Sequence, residues 1–362
     1  MKKLKVIIID DSVLYRKVLS DAFAKLPNVE VVGIAHNGKF GIDKIKLLKP
    51  DFVTLDFNMP VMDGIATLKE IKKQKLNVKA IMISSESSEG AKVTMDALEN
   101  GAFDFIPKPS GSNYAENSSI LAKNLIGIVR TLAISQTLTT RILNRQTPAK
   151  PAVSAKPAVS ATTSSLLVKK PTIPPRIVAL GISTGGPNAL THVIPKLPAN
   201  FKVPMVIVQH MPPKFTKALA DSLDKKSNVK VVEGDDGMLI EKGCVYFAPG
   251  GKMMKLVKRG SDVVIKITDD PPENNCRPAA DYLFRSVSEI YKSACLGVIM
   301  TGMGGDGTKG LKVMKEQNIK VIGQTKETCV VYGMPMEAMK AGVVDIEVPL
   351  DNIANEIIKS LT

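Results

Sequence analysis

Three runs far apart in the chain carry the side chains of a hydrolytic triad: Gly181-Ile182-Ser183-Thr184-Gly185-Gly186, Gln209-His210-Met211-Pro212 and Thr301-Gly302-Met303-Gly304-Gly305-Asp306-Gly307. Each comes after a compact apolar segment, so each is expected at the end of a strand. Ser183 sits in a G-x-S-x-G turn ahead of Pro187, a residue that suits the first turn of a helix. Glycines allow the sharp turn that lifts a hydroxyl clear of the backbone, and the helix N-terminus behind it favours developing negative charge. The chain has 3 histidines, His36, His192 and His210, and only His210 ends a strand-like run as Ser183 does. His210 is therefore the candidate general base. Asp306 would orient it and stabilise the imidazolium. The glycines around Asp306 expose amides that could donate to an oxyanion.

A second, acidic constellation lies near the N-terminus. Asp10 and Asp11 come after one apolar run and Asp56 after another. In an open parallel sheet, ligands bind beyond the carboxyl ends of strands at the point where strand order reverses. Carboxylates converging there repel one another unless a cation joins them, and an oxygen-only set favours Mg²⁺, with the Asn58 backbone carbonyl and water completing an octahedron. Lys108 and Ser84 also come after apolar runs, and they supply an ammonium and a hydroxyl for an anion beside Asp56. That is the chemistry of an acyl-phosphate on Asp56. Gly33-x₄-Gly38-Lys39 imitates a phosphate-binding loop, but Phe40 stands where Ser or Thr must ligate Mg²⁺, so it reads as the turn opening a helix.

The elements that must hold these residues alternate. Apolar runs at 4–9, 31–35, 52–55, 79–83 and 103–106 are separated by helical spacing at 13–26, 38–48, 64–75 and 89–100, with a last helix starting near Ser118. This predicts a five-stranded doubly wound α/β domain over 1–130. Residues 131–175 read as a helix extension and a flexible linker: six prolines lie between Thr147 and Pro175, and Lys-Pro-Ala-Val-Ser-Ala occurs twice (150–155, 156–161). Residues 176–362 alternate again, with strands at 177–182, 203–208, 229–232, 245–248, 296–300 and 320–323 and a hairpin around 253–267. Helices are expected at 187–195, 214–223, 279–291, 307–317 and 334–341. This predicts a second α/β, Rossmann-like domain.

Composition narrows the classes. At 362 residues the chain suits two domains, and 44% apolar content with 4% aromatic and no Trp implies aliphatic cores. Cys244, Cys276, Cys295 and Cys329 are widely spaced, which predicts reduced, mostly buried thiols and supports neither a zinc site nor a disulfide scaffold. The N-terminal apolar run stops at Asp10-Asp11, against a signal peptide, and no stretch reaches the roughly 20 apolar residues of a membrane span. A cytoplasmic protein without membrane insertion is expected. Net charge is +14, part of it in the acid-free stretch 146–176, and no nucleic-acid motif accompanies it, so nucleic acid is not expected as a partner.

Residues 3–130 resemble the receiver domain of response regulators, on Asp10-Asp11, Asp56 with Asn58-Met59-Pro60-x-x-Asp63-Gly64, Ser84 and Lys108. The resemblance implies that Asp56 is the phosphoacceptor and that Asp10, Asp11, Asp56 and the Asn58 carbonyl hold Mg²⁺. It implies that Ser84 and Lys108 support phosphorylation, and it puts Phe105 at the switch aromatic position. Gly101 to Ser110 and residues 176–362 resemble the chemotaxis protein-glutamate methylesterases. The second match rests on Gly181–Pro187, Gln209–Pro212, Ala248-Pro249-Gly250-Gly251, Arg277-Pro278 with Asp281, Thr301–Gly307 and Tyr332–Pro335. It implies a nucleophilic Ser183, a base His210, an orienting Asp306, an oxyanion donor in the Met303 amide and help from the Thr184 hydroxyl in placing His210. It also implies glutamine deamidation, no cofactor for the esterase step, chemoreceptor cytoplasmic helices as substrate and a histidine kinase as phosphodonor. Lys252, Tyr332 and Ser84 depart from the family's commoner His, Trp and Thr, which predicts altered substrate-edge contacts rather than lost chemistry. A phosphorylation-gated adaptor and a hydrolase of another small ester or amide are the alternatives; sequence alone separates the latter poorly, because substrate choice rests on cleft shape.

Overall fold

The computed structural model describes residues 3–109, 111, 113–143 and 173–361. The first unit alternates β1 (Leu4–Ile9), α1 (Val13–Ala24), β2 (Val29–Ala35), α2 (Gly38–Leu48), β3 (Phe52–Asp56), α3 (Gly64–Lys73), β4 (Lys79–Ser84), α4 (Ser88–Glu99), β5 (Asp104–Pro107) and α5 (Tyr114–Leu143). Its five strands pair in parallel in the order β2-β1-β3-β4-β5. Strand order reverses between β1 and β3, whose carboxyl ends carry Asp10 and Asp56. Four helices start abruptly because Ser12, Asn37, Asp63 and Ser87 cap them, each side chain accepting from an amide in the first turn. Gly38 opens α2 behind the Asn37 cap, as a helix start rather than a nucleotide loop.

The second unit contains β6 (Ile177–Ile182), α6 (Gly186–Val193), β7 (Met205–Gln209), α7 (Phe215–Asp224), β8 (Lys230–Glu233), β9 (Cys244–Phe247), β10 (Met253–Arg259), β11 (Asp262–Thr268), α8 (Ala280–Tyr291), β12 (Cys295–Ile299), α9 (Thr308–Lys315), β13 (Lys320–Gln324), α10 (Met334–Lys340), β14 (Ile346–Val348) and α11 (Leu350–Ser360). Seven strands form a parallel sheet in the order β14-β13-β12-β6-β7-β9-β8, and β10 and β11 form the separate antiparallel hairpin. Both units are thus doubly wound α/β folds. Strands β6, β7 and β12 are buried along their whole length, as parallel strands covered on both faces must be. The expected linker at 147–175 lies, except for Ile173–Pro175, outside the described residues.

Sequence periodicity missed β14 and α11. The strand is only 3 residues long and has Glu347 at its centre, too short for an alternation signal. The helix did leave one, since Ile353, Ala354 and Ile357 are buried at helical spacing.

The two units pack on each other. One continuous buried apolar cluster runs from Met95 and Phe105 of the first into Phe215 and Ala218 of the second. Phe105 and Phe215 stack with ring centroids 4.6 Å apart. Polar contacts rim this centre: Glu99 accepts from Ser222 Oγ at 2.8 Å and pairs with Lys226, Lys214 Nζ donates to the Glu86 carbonyl at 2.9 Å, and Asn188 Nδ2 donates to the Ala102 carbonyl at 3.2 Å.

Phe284 fills space beneath three glycines of the second unit. A Cβ on Gly181, Gly307 or Gly310 would meet its side chain at 3.2, 3.3 or 2.6 Å. Phe284→Ala would remove that support, and we expect it to cost about 3–5 kcal/mol in denaturant unfolding. A loss below about 1 kcal/mol would mean that the glycine turns do not rest on this ring.

Candidate active site

Ser183, His210 and Asp306 lie beyond the ends of β6, β7 and β12, three adjacent strands at the centre of the parallel sheet. The Ser183 amide donates to the Thr301 carbonyl at 2.9 Å, and Thr301 Oγ1 donates to the Thr184 carbonyl at 3.0 Å, so the turns after β6 and β12 are stapled together. Gly185 at φ 75° reverses the chain into α6. The His210 amide donates to the Ile182 carbonyl at 3.2 Å, which holds the end of β7 to β6.

The Asp306 carboxylate is the most thoroughly tied group in the site. It accepts from His210 Nε2 at 2.8 Å, from the Ala280 and Asp281 amides at 2.6 and 3.1 Å, and from Asn274 Nδ2 at 2.9 Å. Burial acts to raise its pKa, but His210 and these amides outweigh burial and hold it below the usual carboxylate range. For His210, burial opposes the charged ring, yet Asp306 and then Cys276 outweigh it and raise the imidazole to about 9. The pair therefore stabilises the imidazolium that forms when the ring takes a proton, while the neutral ring is the form that can act as a base.

Asp306 occupies Nε2, so Nδ1 is the nitrogen left to accept a proton. Among the described residues Nδ1 has no hydrogen bond to Ser183 or Thr184 and instead faces Cys276 Sγ at 3.6 Å. Asp306 and Cys276 flank the ring in this structure, and help from the Thr184 hydroxyl in placing His210 is kept as a proposal for the substrate-bound site. Apo sites often close the nucleophile–base bond only when substrate arrives, so the missing Ser183 contact does not exclude the pair. The Met303 amide donates to no protein acceptor among the described residues, as an oxyanion donor requires.

Sequence reasoning missed three residues here. Gln209 Nε2 donates to the Ser183 carbonyl at 3.0 Å and the His210 carbonyl at 3.3 Å, bridging the two turns. Asn274 ties Asp306 to Asp281, from a loop with no motif of its own. Cys276, one of the thiols expected to be reduced and mostly buried, is half-buried against the ring. The Gln209 signal was its place beside His210; no spacing rule joins Cys276 to a histidine so remote in sequence. His192 is exposed on α6, away from the triad, with Nδ1 2.9 Å from the Asn188 carbonyl. Of the residues that departed from the resemblance, Lys252 pairs with Asp269 at 2.6 Å and Tyr332 donates to Glu347 at 2.6 Å.

A cavity of about 500 Å³ covers the site, with walls from both units: Ser183, Thr184, His210 and Met303 on one side, Asp104, Phe105 and Ile128 on the other. Met303 lies against Gly127 of α5. Asp104 is buried, accepts from the Phe105 amide at 2.8 Å and is also acted on by the Gly185 amide. Burial dominates and raises its carboxyl to about 7.

The acidic constellation lies at the carboxyl ends of β1 and β3. Ligand atoms of Asp10, Asp11 and Asp56 lie within 4.8 Å of one another. Lys108 Nζ is 2.8 Å from Asp56 and 3.6 Å from Asp10, and a cavity of about 310 Å³ opens beside them, lined by Asp11, Asp56, Asn58, Ser84 and Lys108. Burial raises Asp10 to about 6 and raises Asp56, only partly offset by Lys108. Asp10 Oδ2 is buried with no hydrogen-bond partner, an acceptor that a hard cation would satisfy. Ser84 Oγ donates to the Gly90 carbonyl at 3.1 Å and accepts from Thr94 at 2.6 Å.

Gly302 sets the spacing between the serine and oxyanion turns. A Cβ there would lie 2.3 Å from Met334 Sδ and 2.8 Å from the Ser183 Cβ. Gly302→Ala should keep the circular-dichroism spectrum and lower kcat by about 100-fold, the scale of a misplaced reacting group. A folded variant with wild-type kcat would refute this packing argument.

Comparison with known proteins adds the family. Residues 178–357 match the model described as CheB methylesterase, and residues 6–116 match the response regulator receiver domain. A protein-glutamate methylesterase/protein-glutamine glutaminase of Desulfotalea psychrophila is 48% identical, over 100% of this chain and 99% of that one. The Bacillus subtilis protein of the same description is 42% identical, over 98% of this chain and 97% of its own. The crystal structure of the Thermotoga maritima CheB methylesterase catalytic domain superposes with a TM-score of 0.50 at 44% identity, over 52% of this chain and 99% of that one. With a full-length match of this strength joined to the two domain matches, the chain belongs to the receiver-bearing CheB methylesterase family.

Proposed function

We propose that this protein hydrolyses glutamate methyl esters on the cytoplasmic helices of chemoreceptors and deamidates receptor glutamines, under control of phosphorylation at Asp56. The observation that carries the chemistry is the buried Asp306–His210 pair, set between the Ser183 turn and a free Met303 amide. Ser183 Oγ attacks the γ-carbonyl while its proton passes to His210 Nδ1. Asp306 stabilises the imidazolium that results, and the Met303 amide stabilises the oxyanion, a contribution of about 10²–10³ in rate. His210 returns the proton to the leaving oxygen, which departs as methanol, or to the leaving nitrogen, which departs as ammonia when the substrate is glutamine. Water activated by the same ring then releases glutamate.

The shared cavity supports control by covering: Asp104, Phe105 and Ile128 of the receiver wall the space in front of Ser183 that a receptor helix would have to enter. A histidine kinase is the phosphodonor in this reading. Asp10, Asp11, Asp56 and the Asn58 carbonyl would hold Mg²⁺, which supplies positive charge beside the phosphoryl group. Lys108 and Ser84 flank that group, and Phe105, at the end of the same sheet, stacks on Phe215 of the catalytic unit. Phosphorylation biases this contact towards release. No helix among the described residues is long and apolar enough to cross a membrane, in keeping with action from the cytoplasm.

Methanol release from radiomethylated receptor membranes tests the reading. It should vanish in Ser183→Ala, and it should rise with a small phosphodonor and Mg²⁺ in wild type but not in Asp56→Asn. Equal release from Ser183→Ala would remove the serine mechanism.

Asp104 adds a pH dependence to the covering. Its carboxyl sits at about 7 in the packed form against an ordinary 3.8, so the part of its burial that the catalytic unit supplies makes closure favour the protonated acid. That contribution is complete below 3.8 and is lost as pH rises through about 7. Energy transfer between dyes on the two domains should therefore fall with rising pH in wild type and stay level in Asp104→Asn. The same pH response in both proteins would overturn the assignment.

A further inference from the structure

His210 and Cys276 stand in a relation that the hydrolytic reaction does not use. Cys276 Sγ lies 3.6 Å from His210 Nδ1, and the ligand atoms of His210, Cys276 and Asp306 lie within 4.8 Å of one another. A tetrahedral ion about 2.0–2.1 Å from an imidazole nitrogen and about 2.3 Å from a thiolate holds those two donors about 3.6 Å apart. The contact is an S–H···N hydrogen bond, and its span is also that of two donors sharing one tetrahedral ion, so an ion can replace the proton without moving either side chain.

The remaining geometry agrees. Asp306 accepts from Nε2 at 2.8 Å, so the Nδ1 lone pair is directed away from it, and a carboxylate behind a ligating histidine is the usual means of orienting such a ring. The Cys276 loop is itself held: Glu273 and Cys276 exchange backbone hydrogen bonds at 3.1 and 2.8 Å, and Asn274 binds both Asp281 and Asp306. Cys276 is half-buried, which leaves an approach from solvent. Mixed nitrogen and sulfur donors select a thiophilic divalent ion, zinc above magnesium. The acidic pocket of the receiver, with oxygen donors only, has the opposite preference.

We propose that His210 Nδ1 and Cys276 Sγ form a two-ligand clamp for a zinc-class cation, with Asp306 orienting the ring, and that the occupied clamp is an inactive esterase. Binding displaces the thiol proton to solvent and changes no oxidation state. Two protein donors leave coordination positions for water. Inhibition results because one lone pair has two claimants: Nδ1 bound to a metal cannot accept the Ser183 proton. This consequence rests on His210 acting as the base, whereas the site itself does not.

Cobalt serves as the probe. Full-length protein stripped with chelator and titrated with Co²⁺ should develop a thiolate-to-cobalt charge-transfer absorption, together with tetrahedral visible bands that zinc abolishes. The charge-transfer band should be missing from Cys276→Ala and Cys276→Ser, whose folding is checked by thermal melts. The zinc concentration that halves ester hydrolysis should rise about 10- to 100-fold in both variants, each compared with its own chelated control. A thiolate band that survives in the variants, or no band in wild type, would overturn the clamp. A band lost on substitution but accompanied by equal zinc inhibition in all three proteins would keep the site and reject its effect on Nδ1.

Discussion

The carboxylate of Asp306, buried and held by four donors, is the interaction on which the catalytic unit depends. A charge out of water must be paired or hydrogen-bonded, and here the compensation comes from three directions. The start of α8 gives the Ala280 and Asp281 amides, the loop before it gives Asn274, and β7 brings His210. One buried group thus fixes the positions of a helix, a loop and a strand end. Asp281 repeats the arrangement one layer deeper, accepting from Asn274 and from the Gly310 amide of α9. The floor of the site is a network in which each acidic group has its donors, and rigidity is its mechanical result.

The receiver is attached by a different kind of force. Its contact with the catalytic unit has an apolar centre, where Phe105 meets Phe215, and a rim of ion pairs and hydrogen bonds exposed to solvent. Rim pairs of this sort contribute little to affinity and more to register, whereas the apolar centre supplies most of the hold. The apolar centre is continuous with buried residues of both units, so the contact is held by the same kind of burial that holds each domain. It also ends at the active site itself, since Asp104 and Ile128 wall the same cavity as Ser183.

Much of this was legible in the sequence because parallel strands announce themselves. Runs such as Ile177–Ile182 and Cys295–Ile299 are apolar throughout, and the residues just past their carboxyl ends are the functional candidates because strand ends are where such sheets bind ligands. The Ser183, His210 and Asp306 turns could be picked out one by one on those grounds, and the acidic residues after β1 and β3 likewise. The residues that escaped are those whose importance arises only on folding. Cys276 and Asn274 sit in an irregular loop with no periodicity, and their meaning comes from the groups that α8 and β7 bring beside them. The setting of Asp104 was invisible because it combines burial with amides from both domains, Phe105 of its own and Gly185 of the other.

The apolar centre of the domain contact has a thermal consequence. Burial of apolar surface near room temperature is driven by the entropy of water and carries a large heat-capacity change, so its strength declines on cooling. Stacking Phe105 on Phe215 within a shared cluster makes the receiver's grip on the catalytic cleft a quantity of this type. The bonds that form the triad, being polar and internal to one domain, do not share that dependence. Under the covering proposed above, a cell growing in the cold would therefore hold this enzyme less tightly shut, with no signal having arrived, than the same cell growing warm.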